Sequence, residues 1–374
     1  MERKQLLEHL ESMLCSKTDQ YYRIDNFRKY PIAIYGAGSI GRKIYVEMKN
    51  LGFNIICFFD RSAVQGTSLF NLPVYTVEND VISESEKGRL VVALAINTHI
   101  LDETQIENYL YGLGYNQVIS AYSLIMPHIS QFENLPEYDR DAENRKKLFA
   151  AAVCFEDEHS NEIYYRNLEA HYSADYKTTI KSEGTIQYFD VKVPFTKGYS
   201  KFVDIGAYDG DSLEKLMELH ECDQYIAFEP EKSNYELLAK KATEYQDRIK
   251  EMLLIPCAVG NKNSFMAFSI PTAMGGNISE NGTTNVQVVR IDDMLKCDVT
   301  MIKMDIEGLE ISAIEGSKSF IKHYKPDLAI CVYHFISDIW EILLILQSLV
   351  PEYKFYLRSH EDFTMETVLY ATIR

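Results

Sequence analysis

The chain has 374 residues, long for one domain, and its 46% hydrophobic and 25% charged residues suit two packed cores rather than a disordered or fibrous chain. A formal net charge of −17 argues against nucleic acid as a partner, which needs a basic face, and against an anionic membrane surface. Seven scattered cysteines without a CxxC pair read as reduced thiols, and the expectation is a cytoplasmic protein.

The first residues, MERKQLLEHLESML, are charged and helical in pattern, unlike a signal peptide, with Leu6, Leu7, Leu10 and Leu14 on one stripe over 2–15. From Pro31 the chain reads as strand Ile32–Tyr35, a glycine turn, helix Ile40–Lys49 and strand Asn54–Phe59 ending on Asp60. Gly36, Gly38 and Gly41 form G-x-G-x-x-G in the context a dinucleotide loop requires, so Gly36, Gly38, Ser39, Gly41 and Asp60 are candidate nucleotide contacts. Further strands at Pro73–Tyr75, Leu90–Ile96 and Gln117–Ser120, with a helix at Glu103–Leu113, give a sheet of about five strands ending near residue 124. No second lobe is visible here to hold a hydride acceptor, which weighs against redox use. The stretch YGAGSIG, then FFD, Gly66 and Leu72-Pro73-Val74, resembles the small Rossmann-like domains attached to bacterial sugar-modifying enzymes. That resemblance implies a nucleotide-sugar site or a vestigial one; a glycine turn kept for packing is the alternative.

The expected division is a Rossmann-like domain at 1–125, a helical linker or pocket wall at 126–180 and a second domain at 181–374. Asp141–Phe155 and Asn161–Tyr172 have helical periodicity, and Gln187-Tyr188-Phe189 is the expected edge of a pocket. Residues 201–230, KFVDIGAYDGDSLEKLMELHECDQYIAFEP, organise the second domain. Phe202–Ile205 is an apolar strand, Gly206–Gly210 a tight turn, Ser212 a helix cap, and Tyr225–Phe228 a second strand ending on Glu229-Pro230. A carboxylate at that strand tip suits a ribose diol, and the loop lacks the third glycine of a pyrophosphate site. A nucleoside without a diphosphate fits, S-adenosylmethionine being the commonest; the other reading is an ordinary βαβ turn with a capping Asp.

Downstream, Ser233 with Glu236 reads as a capping box for a helix to Tyr245, followed by strands at Met252–Ile255, Phe265–Ile270 and Val286–Val289. Pro271–Asn285 reads as a lid-like loop, and Asp292-Asp293 as caps of a short helix. Strand Thr300–Met304 ends on Asp305, a helix runs from Gly308 to about His323, and strand Asp327–Tyr333 carries His334 at its tip. The apolar run near Ile339–Leu346 is broken by Glu341 and too short to span a bilayer. Alternating strands and helices predict an α/β fold with two doubly wound domains, and Asp204, Glu229, Asp305 and His334 at strand ends should converge on one crevice.

In order, VDIGAYDGDS, AFEP, CAVG, VRIDDML, IKMDIEGLEISAIEGS and KPDLAICVYH make residues 150–374 similar to the FkbM-type S-adenosylmethionine-dependent methyltransferases. The resemblance implies a class I methyltransferase fold and O-methylation of a hydroxyl on a sugar, glycan precursor or related small molecule, free or nucleotide-linked. It places the cofactor against Asp204, Gly206, Ala207, Tyr208, Gly210, Glu229, Pro230 and Asp305. The strand at 252–256 ends in Pro-Cys-Ala without an acid for the adenine amine, so Ala258 and Val259 would read adenine through their backbones. His334 is the first candidate for the base, with Asp305 and Glu307 as further catalytic candidates. Asp305 and Glu307 are also spaced to share a divalent ion, though two carboxylates assign no metal. A homodimer is the expected assembly, and an NAD-dependent oxidoreductase or a non-catalytic nucleotide-binding protein are the competing functions.

Overall fold

The structure is a computed structural model that describes residues 1–15, 26–96, 103–125, 142–173, 175, 176, 179, 180, 185–268, 284–361 and 364–373. The chain divides into two compact units. One comprises Glu11–Glu137 and Arg166–Thr179; the other comprises Met1–Leu10, Tyr138–Tyr165 and Ile180–Arg374. The Pro271–Asn285 loop lies outside the described residues up to 283.

In the first unit, β1 (Ile32–Tyr35), β2 (Ile55–Phe59), β3 (Ser68–Leu69), β4 (Leu72–Tyr75), β5 (Val91–Leu94) and β6 (Gln117–Ser120) form one sheet in the order β3-β4-β2-β1-β5-β6. Its neighbours are parallel except for the β3–β4 hairpin. β1 and β5 are buried throughout, which explains their unbroken apolar runs. The hairpin was not expected. Its two-residue turn, Phe70-Asn71, has positive φ at both positions (51° and 63°), as the turn matching strand twist requires, yet Phe-Asn lacks the glycine that would announce it. Helix Ser39–Asn50 buries Gly41, Ile44 and Met48, one face at helical spacing.

The second unit holds β7 (Lys201–Ile205), β8 (Gln224–Phe228), β9 (Glu251–Ile255), β10 (Ala258–Val259), β11 (Ser264–Phe268), β12 (Thr284–Val289), β13 (Met301–Met304), β14 (Asp327–Cys331), β15 (Tyr353–Ser359) and β16 (Thr367–Ile373). Seven of them form a sheet in the order β9-β8-β7-β13-β14-β16-β15. β9, β8, β7, β13 and β14 run parallel, and β16 runs against both its neighbours. This is a doubly wound order, with the winding reversing between β7 and β13. β10, β11 and β12 leave that sheet and make a separate three-stranded one.

Several helix starts differ from expectation. Helix Asp211–Leu219 begins after Gly210 at φ 87°, with Ser212 buried inside its first turn rather than capping it. Helix Lys232–Thr243 is capped by Glu231, whose carboxylate accepts from the Asn234 N–H and the Ser233 hydroxyl. The expected helix from Gly308 to His323 is two, Glu310–Glu315 and Lys318–Tyr324. Gly316 sits at the break because a Cβ there would lie 1.9 Å from the Gly260 carbonyl oxygen. Asp292 caps the second of these helices, accepting from the Ser319 and Phe320 N–H groups, and not its own short one. Among the described residues no helix is long and apolar enough to cross a membrane, and all seven cysteines are free thiols.

Candidate active site

In an open α/β sheet, two neighbouring strands whose connections leave in opposite directions open a crevice at their carboxyl ends. Here those strands are β7 and β13. Gly206 follows β7 at φ 84°, and a Cβ on it would lie 1.9 Å from the Asp305 carbonyl oxygen. The glycine lets the two strand ends close up. A cavity of about 330 Å³ lies there, walled by Gln187, Tyr208, Glu229, Ala258, Asp305 and Glu366 among others.

Asp204 does not face this cavity. It is fully buried beneath it, 3.1 Å from Lys303 Nζ, and accepts the Tyr225 hydroxyl at 2.8 Å. Lys303 also donates to the Gly206 carbonyl and lies over the Tyr188 ring. Burial opposes a charge on Lys303, but Asp204 and then Asp305 hold its pKa above the usual value. The pair ties β7, β8 and β13 together under the crevice. Ala207 and Gly210 are likewise behind the wall: Ala207 is buried, and Gly210 packs against Leu238 and Lys241.

Glu229, at the tip of β8, does line the cavity. Its Oε2 accepts from the Tyr208 N–H at 2.9 Å and its Oε1 from the Glu231 N–H at 2.8 Å. Burial pushes its carboxyl up to about 7, against those two donors. Tyr208, Pro230, Ala258 and Val259 line the same end of the pocket.

At the other end, Asp305 accepts from Tyr188 Oη at 2.7 Å and Tyr333 Oη at 3.5 Å. Gln187 and Tyr188 are on the cavity wall as expected, while Phe189 turns into the core against Phe202. Glu366 was not foreseen. Because β16 runs against β14, its start lies at the carboxyl end of the sheet, and Glu366 just before it reaches the crevice. It accepts from Gln187 Nε2 and from Tyr333 Oη, the latter at 3.3 Å. Burial and the charge of Asp305 push its carboxyl up to about 7.

His334 sits behind this wall, 2% exposed. Its Nε2 is 3.6 Å from Asp305 Oδ1 and 3.4 Å from Glu307 Oε2, and its Nδ1 is 3.1 Å from Glu310 Oε1. Burial alone would pull its pKa down; Glu310, then Glu307 and Asp305, more than offset this and raise it well above the usual range. His334, the sequence candidate for the base, is not among the residues that line the cavity. Glu307 stands on the cavity wall in a left-handed conformation, φ 57°.

In the first unit, the Asp60 carboxylate is engaged by the glycine loop after β1 and by its own turn, accepting from the Ala37 and Ser62 N–H groups, each at 2.9 Å. Gly36 and Gly41 are explained by packing: a Cβ would lie 2.5 Å from the Ala95 oxygen and 1.8 Å from the Gly36 oxygen, respectively. Gly38, by contrast, has nothing within 4 Å of where its Cβ would be. Ser39 opens the helix.

Residues 204–361 match the family model described as methyltransferase FkbM domain, so the resemblance read from the C-terminal half holds. The fold matches the crystal structure of methyltransferase FkbM from Methylobacillus flagellatus KT at a TM-score of 0.75 and 20% identity, covering 98% of each chain. An rRNA methylase from Streptococcus thermophilus aligns over 47% of this chain and 87% of its own, at 14% identity and a TM-score of 0.30, too slight for the folds to be compared. A search of curated proteins returned no match.

Proposed function

We propose that the protein is a cytoplasmic S-adenosylmethionine-dependent O-methyltransferase acting on a hydroxyl of a sugar, glycan precursor or related small molecule, a reading supported by the match of residues 204–361 to the family model described as methyltransferase FkbM domain. The observation that carries this is Glu229: a carboxylate at the tip of the strand after the glycine turn, pinned by two backbone N–H groups and facing the crevice beside the β7–β13 switch point. The donor set fits the cofactor. Glu229 can accept both ribose hydroxyls, and Pro230, Ala258 and Val259 offer a flat, largely apolar wall for a purine. With Pro256 and Cys257 following β9 and no acid there, the purine edge is left to backbone groups at Ala258 and Val259.

When bound, the cofactor supplies a methyl group on a sulfonium whose departure leaves a neutral thioether. The protein's own task is to place an acceptor hydroxyl in line and to receive its proton. Glu366 suits the second part, being on the cavity wall with a carboxyl near neutrality. Tyr188 and Tyr333 orient Asp305, which is placed to accept from the acceptor or from the amino group of the cofactor. Incubation with labelled S-adenosylmethionine and a panel of sugars and nucleotide-sugars tests this reading. Transfer to a hydroxyl that falls about a hundredfold in Glu366→Gln, with KM little changed, supports it; transfer to nitrogen or carbon acceptors, or none with S-adenosylmethionine bound, overturns it.

Gly38 supports a second role for the first unit. Packing does not require a glycine there, while a close-approaching phosphate would. A nucleotide-sugar that binds this unit should be lost in Gly38→Val without loss of fold; equal binding in the variant removes the role. NADH titration separates it from an oxidoreductase, and sedimentation tests the expected dimer.

A further inference from the structure

Three acids converge on one enclosed imidazole beside the cavity. Asp305, Glu310 and His334 each offer a ligand atom, all within 4.8 Å of one another. Neither ring nitrogen of His334 makes a hydrogen bond of acceptable geometry, and neither does Glu310 Oε2, although the two residues are 2% and 0% exposed. Buried polar atoms without partners are uncommon and ask for a reason. Local folding shapes this arrangement. The turn after β13 carries Asp305 and Glu307, the next helix begins with Glu310, and Glu310 Oε1 accepts the Ile306 N–H at 2.9 Å, fixing the turn around the ring.

We infer that Asp305, Glu310 and His334, with Glu307 at the cavity side, form a binding site for a divalent first-row transition-metal ion. The spacing is that of donors around such an ion. Ligand distances of about 2.0–2.2 Å place neighbouring donors roughly 3.0–3.6 Å apart, and His334 Nε2 stands 3.4 Å from Glu307 Oε2 and 3.6 Å from Asp305 Oδ1. One imidazole with carboxylates favours manganese, iron or zinc over magnesium and calcium, which prefer all-oxygen shells. Asp305 and Glu307 also line the cavity, so the ion would border it. Metal binding here does not depend on whether the cavity transfers methyl groups.

The test is equilibrium dialysis of the chelator-treated full chain against MnCl₂, with electron spin-echo spectroscopy of the bound ion. The site predicts one Mn²⁺ per chain with an imidazole-nitrogen coupling. Affinity should fall at least about tenfold in Glu307→Gln, a half-exposed position unlike His334. The coupling should vanish in His334→Gln. Absence of stoichiometric Mn²⁺, bound Mn²⁺ without nitrogen coupling in the wild type, or unchanged affinity in Glu307→Gln overturns the inference. Should His334→Gln not fold, the wild-type coupling and the Glu307→Gln affinity still decide.

Discussion

The pKa of Glu229 converts into a binding experiment. Its carboxyl lies at about 7 in the unliganded protein because burial disfavours the charge. A ribose diol donates two hydrogen bonds and needs the ionised form. Roughly one molecule in ten is ionised at pH 6 and nine in ten at pH 8, so S-adenosylhomocysteine should bind about tenfold more tightly at pH 8, about 1.4 kcal/mol. Calorimetric titration at the two pH values measures this. Glu366 also titrates near 7 and lines the same cavity, so two variants are required. Glu229→Gln should bind weakly with no pH dependence; Glu366→Gln should keep the tenfold change. A wild type with equal affinity at both pH values, or a Glu229→Gln variant that retains the slope, refutes the assignment.

Other substitutions test the scaffold. Lys303→Met leaves Asp204 charged and unpaired in a fully buried position and should cost about 3–5 kcal/mol in urea denaturation; a loss below about 1 kcal/mol would show the pair to be dispensable. Gly206→Ala forces a Cβ to 1.9 Å from the Asp305 oxygen at φ 84°, and the thermal midpoint should drop by several degrees or the chain fail to fold; an unchanged midpoint contradicts the strand-end packing. For Glu366 the folded pKa of about 7 exceeds the ordinary 4.5, so the folded state binds the extra proton and its stabilisation is lost as pH rises from 4.5 to 7. Glu366→Gln should therefore gain stability relative to wild type between pH 5 and pH 8, and an opposite trend in urea midpoints rules out the buried-acid account.

The strands were legible because buried parallel strands read as short apolar runs cut off by glycine, proline or an acid: β1 and β6 fall where their runs do, and β7 and β8 differ by one residue. Strand order was not legible. Nothing in the sequence near Thr367 says that β16 inserts between β14 and β15 in the reverse sense, and that single fact brings Glu366 to the crevice. Glu229 was readable from its strand tip. Asp204 was misleading for the same reason: a carboxylate near the end of β7 suggested a ligand, but it answers to a lysine buried two strand residues before Asp305. Lys303 within an otherwise apolar strand was the signal for that pair. His334 was placed correctly at a strand end, but the three acids that enclose it come from a turn and a helix start whose folding back depends on Gly308 and the Ile306–Glu310 contact. The break at Gly316 was hidden because apolar spacing continues through it; the need for glycine comes from Gly260, distant in sequence.

The most direct measurement of the central claim is calorimetric titration of the purified full-length chain at pH 8 with S-adenosylhomocysteine, S-adenosylmethionine and NADH, repeated on Glu229→Ala. The account predicts stoichiometric binding of both adenosyl ligands to the wild type and at least a tenfold loss in the variant. Failure of either adenosyl ligand to bind, undiminished binding in Glu229→Ala, or binding of NADH alone would contradict it.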